Sequence, residues 1–319
     1  MPIPAMLAAA AWAAAGALTL LWPDEHVSGL GQARVTGTGL VAAVAFGIAA
    51  LVLAGALAGL RRPRLGARVA HAAPWLVLLA VLFSAWELLT AKTGTLRPPY
   101  WASPQRLQAD FRADHALLLS SLWSSLWLLA KGYAIGAALG VVVGVAMGWS
   151  QRVTYWLHPI LRTIGPVPPV ALVPIMFVIL PSSATASLVL IALSAWFPVT
   201  VLTFSGVASV SRSYYDVALT LGAGPRWLVG RVAVPAALPS IFVGLFMGLG
   251  MTFPTLVIAE MLGARDGLGW YVQWQQHWSA YPKMYVALGL MVVLFSGLLT
   301  LLFLVRDRVL AWQRGLVRW

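Results

Sequence analysis

Cysteine is missing from all 319 residues, and charge is scarce: 9% of the side chains are Asp, Glu, Lys or Arg, against 61% that are hydrophobic. The first absence excludes disulfides and thiol chemistry without identifying a redox compartment. The second excludes a soluble globular domain, whose surface so few charged groups could not cover. The phosphate-cradling pattern G-x-x-x-x-G-K-[ST] is also lacking, so the chain carries no nucleotide-binding loop of its own. Its histidines, His26, His71, His115, His158 and His277, are scattered and form no close metal pair. No catalytic residue and no metal ligand is assigned, and the chain is not read as an enzyme.

What the sequence has in abundance is long apolar runs. They cover 2–23, 37–60, 69–86, 116–151 (broken only by Lys131), 163–211, 232–259 and 284–305. One membrane crossing needs about 20 residues, so 163–211 is two spans, with the turn at Pro181-Ser182-Ser183. The expected fold is an all-α integral membrane protein of eight transmembrane helices. The first run lacks the basic start of a signal peptide and is soon followed by a second run, so it reads as an uncleaved span. Residues 1–68 form an alanine-rich two-helix accessory segment ending in the loop "RRPRLGAR". Residues 69–319 form the core. In the segment "RPPYWASPQRLQADFRADHALLLSSLW", the prolines predict a turn and 104–115 a short interfacial helix.

Acidic residues are few, with nine Asp and Glu against 21 Lys and Arg and a net charge of +12. Placement argues against nucleic acid. Arg61, Arg62, Arg64 and Arg68 fill one short loop, and Arg306, Arg308, Arg314 and Arg318 follow the last span. With eight spans these fall on one side, with Arg152, Arg162, Arg212, Arg226 and Arg231, which is the positive-inside pattern. Both termini and the insert at about 212–235 are then expected in the cytoplasm. Tryptophan is plentiful, with 16 copies, and many sit near expected span ends, as an interfacial belt would place them. Gly132, Gly136, Gly140, Gly144 and Gly148 recur at every fourth position and align on one helical face for close helix packing.

Three charges lie within or at the ends of spans. Glu87, Lys131 and Glu260 each leave two readings open, a structural one and a place on a solute pathway. Lys131 is about 10 residues into its span, where its stem could snorkel. Glu260 ends an apolar span before a glycine-containing loop and is expected to support the outer end of a pathway. The hydroxyls of Ser124, Ser125, Thr200 and Thr203 could line such a path for a small oxyanion or simply bond back to their helices.

The polar insert "YYDVALTLGAGPRWLVGRVAVPAALPS" interrupts this pattern. Residues 213–221 predict a short helix with Asp216 in its first turn, where the helix dipole favours a carboxylate. Gly222 terminates it, and Pro225 opens a second helical turn beside Arg226 and Trp227. Leu221, Trp227, Leu228 and Val232 are expected to pack, while Pro235 and Pro239 redirect the chain into the next span. The result is a helix–turn–helix ledge, suited either to docking a protein or to ordinary interfacial packing.

"DVALTLGA" followed by "VPAALPSIFVGL" resembles the cytoplasmic E-A-A-x-x-x-G loop and downstream I-x-L-P of inner-membrane permease subunits of bacterial ABC importers. It is most similar to the branch that imports nitrate, aliphatic sulfonates, taurine or bicarbonate. "LGVVVGVAMGWS", "LHPILRTIGPVPPVALVPIMFVIL", "LIALSAWFPVTVLTFSGV" and "VIAEMLGARDGLGWYV" follow in the branch's order, over roughly residues 76–305. The resemblance implies a core of six helices and puts the loop's acidic position at Asp216, its small pair at Val217 and Ala218, and its glycine at Gly222. Tyr215, Leu221, Ala223, Arg226 and Trp227 complete the implied coupling surface. Asp replaces the usual Glu, Val217 replaces an alanine, and "VILPSSATAS" replaces a tryptophan-phenylalanine-glycine turn.

The implied partners are a second permease subunit, identical or related, two ATP-binding subunits that carry ATP and Mg²⁺, and an extracytoplasmic solute-binding protein. The implied setting is multi-pass in the bacterial plasma membrane, among lipid and without nucleic acid. An ABC-type exporter subunit and a non-transporting scaffold or channel subunit stay open as alternatives.

Overall fold

The computed structural model describes residues 3–24, 37–165 and 167–313; His26, Arg314 and Arg318 lie outside them. Twelve α-helices occur among the described residues, with no strand. In chain order they are α1 (Ile3–Leu21), α2 (Thr38–Arg61), α3 (Pro63–Glu87), α4 (Pro104–Trp149), α5 (Gln151–Ile164) and α6 (Val173–Ile179). There follow α7 (Ser183–Ala208), α8 (Arg212–Thr220), α9 (Pro225–Leu228), α10 (Val234–Gly263), α11 (Leu268–His277) and α12 (Tyr281–Val309). Seven helical runs are long and apolar enough to cross a bilayer, and the bent pair 151–164 with 169–179 makes an eighth.

Two compact units divide the chain, one made of residues up to 116 with 275–286, the other of 117–274 with the remainder. The sequence boundary at 68 falls inside α3, whose Ala73 joins Ala5, Ala8 and Ala9 of α1 and Val52 and Ala56 of α2 in one core. Lipid tails are as apolar as leucine, so such helices gain from close contact between small side chains rather than from hiding oil. A second cluster sets Trp12 among Ala45, Ala49 and Ala80, with its indole N–H donating to the Leu76 carbonyl at 3.0 Å.

The expected arginine-rich loop is almost entirely helical. Only Arg62 separates α2 from α3, because Pro63 occupies a first-turn position where no N–H is needed. Gly59 and Gly66 bring the two backbones together there; a Cβ on Gly59 would lie 2.5 Å from the Gly66 Cα. The short helix expected at 104–115 is likewise continuous with α4, a 46-residue helix. No breaker separates the two, and an i,i+4 pair between Arg106 and Asp110 (3.0 Å) supports the polar portion.

In the second unit α7 is the most enclosed span, with half of its apolar window buried. Leu190, Ile191, Ala195 and Val199 are fully buried on it. The glycine strip of α4 lies against α7. A Cβ on Gly144 would stand 2.6 Å from the Thr203 Cβ, and one on Gly140 2.8 Å from the Val199 Cβ. Packing therefore accounts for the strip. The run from 163 does not form one straight span. Gly165, Pro168 and Pro169 interrupt it, and the two parts meet at 79°, because proline removes amide donors and restricts the residue before it. The expected turn at 181–183 is present, with the Ser182 hydroxyl accepting from the Thr185 amide at 3.2 Å as the N-cap of α7.

Candidate functional site

The ledge is α8, a tight turn and α9. Helix α8 ends in a Schellman motif: the Ala223 amide donates to the Ala218 carbonyl (3.0 Å) and the Gly222 amide to the Leu219 carbonyl (2.9 Å). Gly222 takes φ +81, a left-handed conformation that side chains disfavour. Pro225 opens α9 at a first-turn position. A π-helical turn, Val229–Ala233, then joins α9 to α10. Pro235 and Pro239 do not turn the chain. Pro235 sits in the first turn of α10 and Pro239 inside that helix.

Three side chains fasten the ledge. Ala218 and Leu228 are buried, and Tyr215 meets Trp149 at the end of α4 edge-on, ring centres 5.8 Å apart. Tyr215 also packs against the cluster of Val207, Ala233, Ala237 and Ile241. Partial burial raises its hydroxyl pKa.

Of the four apolar groups expected to pack, Leu228 does and Val232 is half-buried, but Leu221 is 81% exposed and Trp227 is exposed as well. Val217 is 62% exposed, and Tyr214 and Leu219 are exposed too. Asp216 is exposed too, and it lies one residue beyond the first turn, because α8 begins at Arg212. The dipole term falls off within that turn, so it does not explain the acid's position. Arg226 is exposed and Ala223 half-buried. On α8 and its C-cap the exposed Tyr214, Val217 and Leu221 recur at helical spacing and so share one face.

At the opposite end of α10 the structure joins residues that the sequence named separately. Glu260 is 1% exposed. The Ser125 hydroxyl donates to its carboxylate, with 2.7 and 2.9 Å to the two oxygens, and the Gly269 amide donates at 2.8 Å. The Ser125 oxygen in turn accepts from the Leu268 amide at 2.8 Å. Next to it the Ser124 hydroxyl donates to Asp266 at 2.8 Å. Gly267 has φ +111, and a Cβ there would stand 2.5 Å from the Glu260 carboxyl carbon. The group is a latch that pins the loop 264–267 between α4 and α10.

Glu87 belongs to the first unit. It is fully buried, accepts from the Thr19 hydroxyl (2.6 Å) and the Gln105 amide (2.7 Å), and lies 3.9 Å from Lys92. Lys92, which the sequence reading missed, donates to the carbonyls of Thr19 (2.9 Å) and Trp22 (2.7 Å) and to Asp24 (2.6 Å). It thereby caps the C-terminal end of α1. The signal for it was the E-x-x-x-x-K spacing in "ELLTAK". Lys131 joins neither group. It is exposed, its ammonium 4.7 Å from the centre of the Trp127 ring. Thr200 bonds back to the Trp196 carbonyl (2.7 Å). Thr203 is fully buried against the glycine strip.

Seven membrane-length helices, or eight with the bent pair taken as one span, define a polytopic all-helical membrane protein. The chain belongs to the family described as the binding-protein-dependent transport system inner membrane component, whose profile matches residues 136–313. It is 31% identical over 170 residues to a Bacillus subtilis protein named as the aliphatic sulfonates transport permease SsuC, 53% of this chain and 61% of that one. It is 33% identical over 172 residues to the taurine transport system permease protein TauC of Escherichia coli, 54% of this chain and 60% of that one. The chain thus spans about three fifths of the length of each relative. Among solved structures, the inward-facing methionine ABC transporter MetNI matches with TM-score 0.52 and 20% identity, over 65% of this chain and 99% of that one. That likeness concerns the fold.

Proposed function

We propose that this chain is the membrane-spanning permease subunit of an ATP-driven, binding-protein-dependent importer. The single observation that carries the reading is the ledge: a rigid Schellman turn presenting Val217, Leu221 and Trp227 to solvent beside Asp216. Two ATP-binding subunits, holding ATP and Mg²⁺, receive the ledges of two permease subunits, this chain with an identical or related one. A soluble binding protein delivers solute from outside. When the ATP-binding subunits close, they push α8 and α9. Tyr215 against Trp149 carries the push to α4, and the π-helical turn carries it to α10. The spans then open to the other side. Such coupling requires the ledge contacts to differ between the two states.

The arginine bias supports an orientation with the ledge and both termini in the cytoplasm. Relatives named for sulfonates, taurine and bicarbonate support a small anion as solute. In this reading Glu260, Ser124 and Ser125 hold the loop at the outer end of the pathway, Thr200 and Thr203 pack α7 against the glycine strip, and Glu87 anchors α1. Lys131 is a snorkelling anchor beside Trp127, where a cation–π contact offsets the cost of its charge.

Co-reconstitution with the ATP-binding subunits and binding protein tests this. Solute should accumulate in vesicles only with ATP. Asp216→Lys should leave the spans inserted while weakening recruitment of the ATP-binding subunits or uncoupling hydrolysis from uptake. ATP-independent flux in both directions would instead assign a channel, and outward pumping an exporter.

A further inference from the structure

Helix α12 is the most apolar of the spans and the least covered, with 11% of its window buried. Between it and α10 runs a groove of about 130 Å³. Phe242, Val243 and Phe246 form one wall, Leu302 and Phe303 the other, and Arg306 is the only charged group in the lining. The Phe246 and Phe303 rings approach to 5.5 Å at 30°. Arg306 closes one end, its guanidinium 4.9 Å over the Phe303 ring. Its Nε and Nη2 donate to Asp307 at 3.0 and 2.8 Å. A guanidinium carries five N–H donors, so three remain. Arg306 is half-buried, and the exposed Arg308 keeps the local charge positive despite Asp307.

An apolar slot ending in a held cation matches a molecule with a hydrocarbon tail and an oxyanion head. An apolar partner span would offer the remaining guanidinium donors no acceptor. A free anion would leave the aromatic walls uncovered. We propose that this groove binds an anionic phospholipid, one acyl chain between α10 and α12 and the headgroup phosphate on Arg306. Membranes supply such lipids, and basic side chains at the surface attract them. The site rests on the chain lying in a membrane and not on the transport reading or on which leaflet Arg306 faces.

Native mass spectrometry of the full chain, delipidated in detergent and titrated with phosphatidylglycerol or phosphatidylcholine of equal tails, tests the proposal. The wild type should retain one phosphatidylglycerol per chain more tightly than phosphatidylcholine. Arg306→Gln should lower phosphatidylglycerol affinity about fivefold, the contribution of one basic group at such a surface, and leave phosphatidylcholine unchanged. Val243→Trp should fill the slot and reduce both. A second measurement uses the unmutated protein: phosphatidylglycerol with a photoreactive tail should label peptides containing 242–246 and 302–306. Equal retention of both lipids by the wild type, or labelling elsewhere, would overturn the site. So would disulfide formation between Val243→Cys chains in the membrane, which would give the groove to a second copy.

Discussion

Gly222 offers a perturbation whose magnitude follows from the backbone alone. Its φ is +81, and a Cβ placed there meets no atom within 4 Å. Any penalty of substitution is therefore conformational and not a clash. An L-residue held in this region costs about 1–2 kcal/mol, while asparagine visits it routinely. Gly222→Asn should then stay close to wild type. Gly222→Ala should fall near the lower limit, and Gly222→Val and Gly222→Arg at or above the upper, since branched or bulky residues are genuine outliers there. If the ledge must hold its native turn to dock, recruitment of the ATP-binding subunit should weaken by about 5- to 30-fold across that series. Binding of labelled ATP-binding subunit to vesicles carrying each variant measures this, with hydrogen exchange over 212–233 reporting the turn itself. Asparagine as damaging as valine, or valine as good as glycine, would refute the reasoning.

Lys92→Met should leave Glu87 and Asp24 without their cation and the Thr19 and Trp22 carbonyls without a donor, costing about 3–5 kcal/mol; proteolysis of α1 should accelerate, and adding Glu87→Gln should restore part of the protection. Glu260→Ala should leave the Gly269 amide and Ser125 hydroxyl unpaired in a buried place, at about 1–3 kcal/mol each, and lower the melting temperature in detergent. Glu260→Gln keeps an acceptor there, so it should assemble normally, and a transport defect in it would separate a pathway role from a structural one. Gly144→Ala would put a Cβ 2.6 Å from Thr203 and 2.7 Å from the Thr200 carbonyl, so it should cost about 1–3 kcal/mol as overpacking; an unchanged melting temperature would show that α4 and α7 do not meet there.

The spans were legible because a bilayer demands long apolar runs, and 183–208 or 234–263 cannot be read otherwise. The ledge was legible for a different reason: Gly222 accepts the positive φ that other residues disfavour, and Pro225 is fixed near the φ of a first helical turn. Helix ends were less legible. The arginines near 62 look like loop and residues 104–115 like a separate short helix, yet both belong to longer helices, because charge does not break a helix where proline and glycine placement permits it. Long-range pairing was hidden altogether. Ser125 and Glu260 were each singled out, but no period links positions 135 apart. The exposure of Leu221 was hidden too. Hydrophobicity marks a residue that avoids water, and it does not say whether the chain itself or a partner provides the cover.

The central claim is that this exposed patch is the contact for the ATP-binding subunit. The cysteine-free background allows single-site crosslinking in the assembled complex, with Leu221→Cys on the ledge and Ile179→Cys at the end of α6, just before α7. Both positions are exposed, 81% and 70%, so reagent access does not distinguish them. The account predicts a crosslink from position 221 to the ATP-binding subunit, weakened when Asp216→Lys is added, and none from position 179. An intact, transporting complex that crosslinks from neither position, or from 179 alone, would contradict it.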